Sequence, residues 1–334
     1  MATDRNDNRA IVGLGDIARK RVVAAIGQQP NSSLYACVTR DPQARKADLE
    51  SLAPRKVYRS VDQMLADPRV DAVYLATPVY WHAPHAIASL KAGKDVLVEK
   101  PMALNVREAD EVRRIAHEAG RRLAVAYYRR FWPCFQLVKD MLDRGEFGQV
   151  VHVGMILHGW YRPDPNAPGA WRTRPALSGG GVLCDVASHR LDLLAWWFGL
   201  PRRLVADVQT VTHSYEVEDS ASILMELSGG IGFTGSFHWN SKTQTDQIHV
   251  VGTEARVSLS GGADPEVVIA RPGDVQRRDI PRPENYHRPL IDDFAAAVVE
   301  DRPPRFTGDD GVKATQIIEA AYRSSREETW VAVR

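Results

Sequence analysis

The tripeptide Glu99-Lys100-Pro101 brings a carboxylate and an ammonium group together directly after the apolar run of residues 96–98. Such a run is typical of a buried strand. In an open parallel sheet the carboxyl ends of the strands border the ligand crevice, so a lysine at that point is held beside whatever binds there. The sequence therefore predicts that Lys100 and Glu99 line a ligand site, with an exposed charge pair that only ends a strand as the alternative.

A second group of chemically capable residues follows the glycine run of residues 179–181. Asp185, His189 and Asp192 recur at i, i+4 and i+7, a spacing that places two carboxylates and an imidazole on one face of a helix. Histidine is the natural general base near neutral pH. We therefore expect acid–base chemistry here. The alternatives are a solvated polar stripe, or an Asp185 that only complements the helix N-terminus.

The chain has 334 residues, with 43 basic and 42 acidic side chains. That length favours two domains, each with its own core. The near-cancelling charge gives no electrostatic footprint for nucleic acid. Residues 1–9 are polar, and no run approaches the roughly 18 apolar residues of a membrane span. We expect a cytoplasmic protein with neither a membrane nor a nucleic-acid partner.

Three cysteines, Cys37, Cys134 and Cys184, lie far apart in the sequence. Their odd number and wide spacing fit neither a disulfide framework nor a zinc site, so we expect buried thiols. A metal site built from Cys184, Asp185 and His189 is disfavoured because neighbouring residues of a helix point in different directions. No metal is predicted.

A glycine-rich turn opens the chain, where a short apolar strand at residues 10–12 leads into Gly13, Gly15 and Ala18. Gly13 allows a tight turn, Gly15 lets a pyrophosphate approach the backbone, and Ala18 lets the helix pack on the strand. The helix, extending to about residue 26, would present its N-terminus to the phosphates. The pattern predicts a dinucleotide site that includes Asp16 and Ile17.

The second strand, residues 34–38, ends at Thr39 and Arg40. An acidic residue at this tip suits the ribose 2′-hydroxyl of NAD, whereas arginine suits the 2′-phosphate of NADP. Asp41 and Pro42 read better as a helix cap and first helical residue, so Asp41 should point into its own helix. The sequence favours NADP, with NAD or dual use as the alternative.

Strands and helices alternate through about residue 126, which predicts a doubly wound parallel sheet. Capping boxes begin helices at Ser60 and Asn105, and further strands are expected at residues 72–75 and 123–126. Thr77, Pro78 and His82 follow a strand end, where they could line the nicotinamide side of the crevice or simply start a helix.

Beyond residue 148 the pattern changes to a large, mostly antiparallel sheet with few helices. Gly229 and Gly230 predict a hairpin between two of its strands. We assign residues 1–127 to a nucleotide-binding Rossmann domain and 128–334 to a second, α/β domain, whose last helices could pack back on the first. The expected strands are residues 150–158, 204–211, 220–227, 231–239, 248–252 and 256–259, and the expected helices are 183–198, 290–300 and 311–326.

These motifs together resemble the signature of the glucose-fructose oxidoreductase / inositol dehydrogenase / rhizopine catabolism (Gfo/Idh/MocA) family. The resemblance rests on the glycine turn at Gly13, on Glu99-Lys100-Pro101, and on the glycine run followed by Asp185 and His189. It spans nearly the whole chain. Tyr128 replaces an asparagine that many members carry before an arginine corresponding to Arg129.

The resemblance implies an N-terminal domain that binds NAD(P), and a C-terminal domain that supplies the substrate pocket and often the interface of a homodimer or homotetramer. It implies that Lys100 is the active-site lysine, Asp185 its carboxylate partner and His189 the proton-transfer residue. Pattern and resemblance together assign to the cofactor Gly13, Gly15, Asp16, Ile17, Thr39, Arg40, Thr77, Pro78, His82, Glu99, Lys100 and Arg129.

The expected reaction moves a hydride between the nicotinamide and a substrate C–OH or C=O, with His189 taking or giving the hydroxyl proton and Lys100 stabilising the oxygen. Aromatic and polar residues of the loop before the glycine run suit a sugar or polyol, although they could equally pack the loop. A non-catalytic NAD(P)-binding regulator and a glycoside-processing enzyme using transient oxidation are the alternatives. The candidate substrate residues are Trp160, Tyr161, Trp171, Arg172, Asp185 and His189, with Tyr286 as a further candidate.

Overall fold

The computed structural model describes residues 7–26, 32–261 and 266–334. The chain divides into two compact units. The first unit extends to Tyr128 and also includes Pro283–Val312. The second unit comprises Arg129–Arg282 and Lys313–Arg334. Among the described residues, no helix combines the length and apolar character needed to cross a membrane.

The first unit is built on a six-stranded parallel sheet with the order β3-β2-β1-β4-β5-β6. The order reverses direction at β1, as in a doubly wound fold. This confirms the fold class predicted for this half. The strands are β1 (Asp7–Val12), β2 (Ser32–Val38), β3 (Lys56–Tyr58), β4 (Ala72–Leu75), β5 (Asp95–Val98) and β6 (Leu123–Val125).

Helices connect these strands, and their ends follow the predicted caps. The Ser60 side chain accepts a hydrogen bond from the Gln63 N–H (3.3 Å), and Asn105 accepts one from the Glu108 N–H (2.9 Å). The helices of this unit are α1 (Val23–Ile26, after a π turn over Ala18–Val22), α2 (Lys46–Leu52), α3 (Val61–Leu65), α4 (His82–Lys91), α5 (Val106–Ala119) and, from the later segment, α9 (Arg288–Val299).

The register of the sheet aligns the carboxyl ends of its central strands. Val12 pairs with both Val38 and Leu75, Leu75 pairs with Val98, and Val98 pairs with Val125. All five are buried. The residues that follow these strand ends therefore share one edge of the sheet, where open α/β sheets bind ligands.

The second unit is built on a nine-stranded sheet with the order β14-β13-β12-β11-β7-β10-β9-β8-β15. Its pairs are antiparallel except β7 with β10. The predicted mostly antiparallel sheet is confirmed. Its strands are β7 (Val150–Trp160), β8 (Arg203–Gln209), β9 (Ser220–Glu226), β10 (Gly232–His238), β11 (Asn240–Gly252), β12 (Arg256–Leu259), β13 (Glu266–Arg271), β14 (Asp274–Asp279) and β15 (Val331–Ala332).

The remaining helices are α6 (Pro133–Asp143), α7 (Pro175–Ser178), α8 (Ser188–Phe198) and α10 (Gly308–Glu327). A π turn over Leu183–Ala187 leads into α8. The predicted helix of residues 183–198 is present, with its first turn wider than an α-helix. Strands β3, β13, β14 and β15 and helices α6 and α7 were not predicted.

Candidate active site

The glycine turn after β1 is shaped by close contact with the neighbouring strand end. Gly13 has φ +96°, and a Cβ there would lie 2.7 Å from the Ala76 carbonyl oxygen. Only glycine avoids this overlap in that conformation. By contrast, nothing lies within 4 Å of a Cβ built at Gly15. The turn is thus closed on the side of the sheet at Gly13 and open at Gly15.

A helix follows this turn at once, with the Arg19 N–H bonded to the Gly15 carbonyl (3.1 Å). The N–H groups of the first helical turn have no intrahelical partner and form the positive end of the helix. Ile17 is 39% exposed, high for an apolar side chain. Asp16 is engaged by Arg19 and Lys20 on its own helix, and the hydrogen bond from Arg19 lowers the pKa of Asp16. An open turn at a helix N-terminus fits the pyrophosphate of a dinucleotide.

Thr39 and Arg40 follow β2 at the same edge of the sheet. The Asp41 carboxylate accepts hydrogen bonds from the backbone N–H groups of Gln43 and Ala44, both at 3.0 Å. It therefore faces its own turn, as predicted, although α2 begins only at Lys46. Arg40 is exposed. The side chain offered to solvent at this strand tip is cationic.

Thr77, Pro78 and His82 follow β4. The buried His82 ring places Nδ1 2.8 Å from the Pro101 carbonyl oxygen and Nε2 2.8 Å from the Thr77 carbonyl oxygen. Burial lowers the pKa of His82, and the two carbonyls, which favour the charged ring, offset this only in part. Both ring nitrogens face protein backbone, so His82 ties the Thr77 turn to the turn after β5.

The Thr77 side chain differs from the His82 ring in its hydrogen bonding. Its Oγ1 is buried and has no hydrogen-bond partner among the described residues. A buried hydroxyl without a partner is costly unless a ligand or water satisfies it. Thr77 therefore fits the predicted role beside the cofactor.

Glu99 and Lys100 follow β5, and the Lys100–Pro101 peptide bond is cis. The Glu99 carboxylate accepts a hydrogen bond from the Tyr74 hydroxyl (2.6 Å) and lies 3.6 Å from His287 Nε2. Burial alone would raise the pKa of Glu99, but the interactions with His287 and Tyr74 outweigh it and lower the pKa. Glu99 is thus a buried anion that interacts with protein groups, while Lys100 is half-buried.

In the second unit, the arginine pair after β6 is used structurally. Arg129 donates to the Gly261 carbonyl, and its guanidinium lies 5.3 Å from the Trp132 ring. Arg130 forms two hydrogen bonds with the Asp192 carboxylate, at 2.8 and 2.7 Å, and both side chains are 1% exposed. Asp192, the third member of the predicted polar stripe, is therefore half of a buried ion pair.

The glycine run before α8 is required by packing against two buried groups. A Cβ at Gly180 would lie 1.9 Å from the Tyr322 hydroxyl, and one at Gly181 would lie 2.1 Å from the Glu218 carbonyl oxygen. The Glu218 carboxylate accepts hydrogen bonds from the N–H groups of Gly181 (2.8 Å) and Leu183 (3.0 Å). These contacts fix the start of the helical segment that carries Asp185 and His189.

Asp185 lies in the π turn, and His189 follows in the first turn of α8. A π turn changes the angular spacing of side chains from that of an α-helix, and such turns recur at functional sites. The Asp185 carboxylate is 3.5 Å from Arg172 Nε. His189 is only 6% exposed. Among the described residues, no group of three or more His, Cys, Asp and Glu side chains is arranged to hold a metal ion.

Three of the predicted substrate residues gather around Asp185. The Arg172 guanidinium pairs with Asp185 and stacks over the Trp171 ring at 4.6 Å. The charges of Arg172 and Asp185 both act on Tyr161, whose pKa is raised mainly by burial. This group combines aromatic faces, a cation and a carboxylate, a chemistry suited to a polyhydroxylated ligand.

Two further candidates have different surroundings. Trp160 packs edge-on against His213 (4.6 Å) and carries Lys242 over its ring at 5.2 Å. The Tyr286 ring lies under the Arg21 guanidinium at 4.4 Å. Neither contact tests a role in substrate binding, so the substrate-binding roles of Trp160 and Tyr286 stay predictions.

Several residues of these surroundings were not predicted. Tyr74 and His287 hold Glu99, Glu218 and Tyr322 hold the glycine run, and Arg130 neutralises Asp192. Their partners are distant in sequence, so no local spacing indicates them. Glu218 lies among polar residues just before β9, so its burial is not indicated by the local sequence.

Comparison with known proteins identifies the family. A family model described as an oxidoreductase family with an NAD-binding Rossmann fold matches residues 8–127, and the GFO/IDH/MocA C-terminal domain model matches residues 135–258. The chain is 29% identical to 1,5-anhydro-D-fructose reductase of Ensifer adhaerens, over 90% of this chain and 91% of that protein. It is 28% identical to D-xylose 1-dehydrogenase (NADP(+)) 2 of Haloferax volcanii, over 97% and 98%.

Among solved structures, the aldose-aldose oxidoreductase of Caulobacter crescentus, complexed with glycerol, superposes with a TM-score of 0.88 at 27% identity. The match covers 98% of this chain and 100% of that one. Both halves of the sequence and the whole fold agree with one family. The chain belongs to the Gfo/Idh/MocA family and is an NAD(P)-dependent oxidoreductase that acts on CH–OH groups.

Proposed function

We propose that this enzyme uses NADP to oxidise a hydroxyl carbon of a sugar or polyol, or to reduce the corresponding carbonyl. The open glycine turn at the helix N-terminus carries the cofactor half of the proposal. The group formed by Tyr161, Trp171, Arg172 and Asp185 supports the substrate half, and relatives named for xylose and anhydrofructose support the same class.

The preference for NADP rests on the tip of β2. Asp41 is occupied by two backbone N–H groups, while Arg40 is exposed beside it. A guanidinium binds a 2′-phosphate through charge-assisted hydrogen bonds, whereas NAD offers it only a hydroxyl. The Haloferax volcanii relative is named as an NADP enzyme.

Lys100, Asp185 and His189 divide the chemistry among them in this proposal. A bound nicotinamide cofactor supplies a hydride acceptor or donor. In the oxidative direction His189 accepts the proton of the substrate hydroxyl as the carbon gives up its hydride, so that an alcohol becomes a carbonyl. Lys100 donates a hydrogen bond to the substrate oxygen and stabilises the negative charge that develops there. Asp185, paired with Arg172, orients the polar groups around the substrate.

We also propose a cytoplasmic homodimer or homotetramer. In β7 the side chains alternate, with Val153 and Met155 buried and His152 and Ile156 half-buried on the opposite face. Leu224 of β9 lies on that second face and is 49% exposed. A half-open sheet face that mixes such apolar side chains with histidine, serine and threonine side chains suits a symmetric contact between copies. The three cysteines form no disulfide among the described residues, which suits a reducing compartment.

The test is an absorbance screen for reduced nicotinamide, with purified enzyme, NADP+ or NAD+, and a panel of sugars and polyols. We expect turnover with NADP+ that falls about 10²–10⁴-fold in His189→Gln, because general base catalysis contributes that much. His117→Gln, on the exposed face of α5, is the matched control and should match the wild type. Wild-type turnover in His189→Gln would contradict the assigned role.

The same screen separates the two alternatives. A regulator would bind NADPH and leave every substrate unchanged. A glycoside-processing enzyme would cleave a glycoside with no net change in reduced nicotinamide. Either outcome would replace the proposed net oxidation and reduction.

A further inference from the structure

Glu99 belongs to a buried polar array that links three distant parts of the first unit. Its carboxylate receives the Tyr74 hydroxyl from β4 (2.6 Å) and lies 3.6 Å from Nε2 of His287, which immediately precedes α9. Tyr74 is fully buried and His287 is 2% exposed. A carboxylate that is 12% exposed, a buried phenol and a buried imidazole therefore share one site, and the carboxylate belongs to the residue directly before Lys100.

The position of His287 is fixed from both sides. Its backbone N–H donates to the Asn285 side chain (3.1 Å), which in turn donates to the Arg21 carbonyl (2.7 Å). The imidazole packs against the Tyr128 ring, with centroids 4.3 Å apart. Neither ring nitrogen has a hydrogen-bond partner among the described residues, and the Glu99 carboxylate is the acid group at ion-pair distance. Burying an imidazole in this way is costly unless its interaction with the carboxylate offsets the loss of water.

The electrostatic balance favours an ionised Glu99. Burial opposes the charge, but the interactions with His287, with Tyr74 and with the Lys100 charge together lower the pKa of Glu99. The Lys100 backbone N–H also points at this carboxylate, at 3.3 Å. This contact constrains the backbone of Lys100 at the carboxyl end of β5. Other titratable groups that act on Tyr74, Glu99 or Lys100 include Arg9, Tyr128 and His82.

We propose that His287 and Tyr74 are positioning residues that keep Glu99 as a carboxylate, and that this carboxylate, which accepts the Lys100 N–H, orients Lys100 for the substrate oxygen. The proposal rests on the role of Lys100 given above. Under this proposal Glu99 acts on Lys100 rather than on the cofactor. His287 enters this site from Pro283–Val312, the segment by which the chain returns to the first unit.

Carbon-13 NMR of the glutamate carboxyl groups in the cofactor-free protein tests the array without using activity. The Glu99 resonance is identified by its loss in Glu99→Gln. We expect its titration midpoint to rise by about one pH unit or more in His287→Gln, since an opposite charge shifts a carboxylate by that amount. Tyr74→Phe removes only a hydrogen bond and should give a smaller rise in the same direction.

The kinetic arm tests the connection to Lys100. The general base contributes one acid step to the kcat profile, and protonation of Glu99 should add a second step at lower pH. In His287→Gln this second step should move to higher pH together with the NMR midpoint. Arg288→Gln is the matched control, because this neighbouring side chain is 49% exposed and pairs with Asp292; it should leave both readouts unchanged.

Three outcomes would overturn the inference or its foundation, and they are distinguishable. An unchanged Glu99 midpoint in both His287→Gln and Tyr74→Phe would show that these two residues do not keep Glu99 ionised. A shifted midpoint with no matching shift of the second acid step of kcat would show that Glu99 does not act on Lys100. Wild-type turnover in Lys100→Met would instead refute the proposed role of Lys100, whatever the NMR shows. If His287→Gln does not fold, as judged by circular dichroism, Tyr74→Phe carries the test.

Discussion

Alanine at Gly15 and alanine at Gly13 should have opposite consequences, although the two glycines share one turn. At Gly15 a Cβ meets nothing within 4 Å. We therefore expect Gly15→Ala to change the free energy of unfolding by less than about 1 kcal/mol. The new methyl would instead occupy the space that the pyrophosphate needs.

At Gly13 the methyl would lie 2.7 Å from the Ala76 carbonyl oxygen, in a backbone with φ +96°. The left-handed conformation costs alanine roughly 1–2 kcal/mol, and the overlap with backbone a further ~1–3 kcal/mol. Gly13→Ala should thus lose about 2–5 kcal/mol of stability, or roughly 2–4 °C in Tm for each kcal/mol in a domain of this size.

Two measurements separate the effects. Thermal unfolding without cofactor, followed by circular dichroism, should show a fall in Tm for Gly13→Ala and almost none for Gly15→Ala. Fluorescence titration with NADPH should show a Kd raised about 10- to 100-fold in Gly15→Ala, which corresponds to about 1.4–2.8 kcal/mol. If Gly15→Ala bound NADPH like the wild type, the pyrophosphate would not lie at this turn and the placement of the cofactor would be wrong.

Three further predictions follow from buried or exposed charges. Asp192→Ala leaves Arg130 charged and buried, so unfolding in urea should show a loss of about 3–5 kcal/mol. Arg40→Ala should raise the Kd of NADPH at least about tenfold and leave that of NADH within about twofold; equal effects on both would contradict the NADP assignment. The pKa of Asp219 is lowered because hydrogen bonds from three backbone N–H groups outweigh its burial, so its stabilisation is full above the unfolded pKa and is lost as pH falls. Asp219→Asn should therefore lower Tm at neutral pH, with a gap that shrinks towards about pH 3; a gap that widened in acid would refute this sign.

Local patterns predicted the first unit well. The caps at Ser60 and Asn105 begin helices as expected, and the Gly13 turn has the positive φ that its position requires. These features depend on neighbours within a few residues, so the sequence displays them. β3 was missed because it is a three-residue edge strand, Lys56–Tyr58, with no alternation to detect.

The second unit shows why other elements escaped prediction. β14 (Asp274–Asp279) is mostly charged and exposed, so it lacks the apolar alternation of a strand and pairs only along β13. The sequence analysis allowed the last helices to pack back on the first domain, but it did not show which segment returns. That segment is Pro283–Val312, and its place depends on packing between α9 and β1 rather than on a local pattern.

The site was predicted at the level of residue types rather than contacts. Asp185, His189 and Asp192 have helical spacing, but a π turn intervenes and Asp192 is committed to Arg130. The predicted cofactor role of Glu99 stays a prediction, and its neighbours Tyr74 and His287 were not indicated by the sequence. Spacing along a helix cannot reveal partners supplied by distant segments.

The most direct test of hydride transfer is the fate of deuterium placed on the reacting carbon of a substrate found in the screen. Mass spectrometry of the nicotinamide cofactor recovered after turnover with NADP+ should show the deuterium in NADPH, with none in Lys100→Met or His189→Gln beyond a trace. Deuterium that stayed in the carbohydrate product, or exchanged into water while NADPH formed unlabelled, would contradict direct transfer between the substrate carbon and the cofactor.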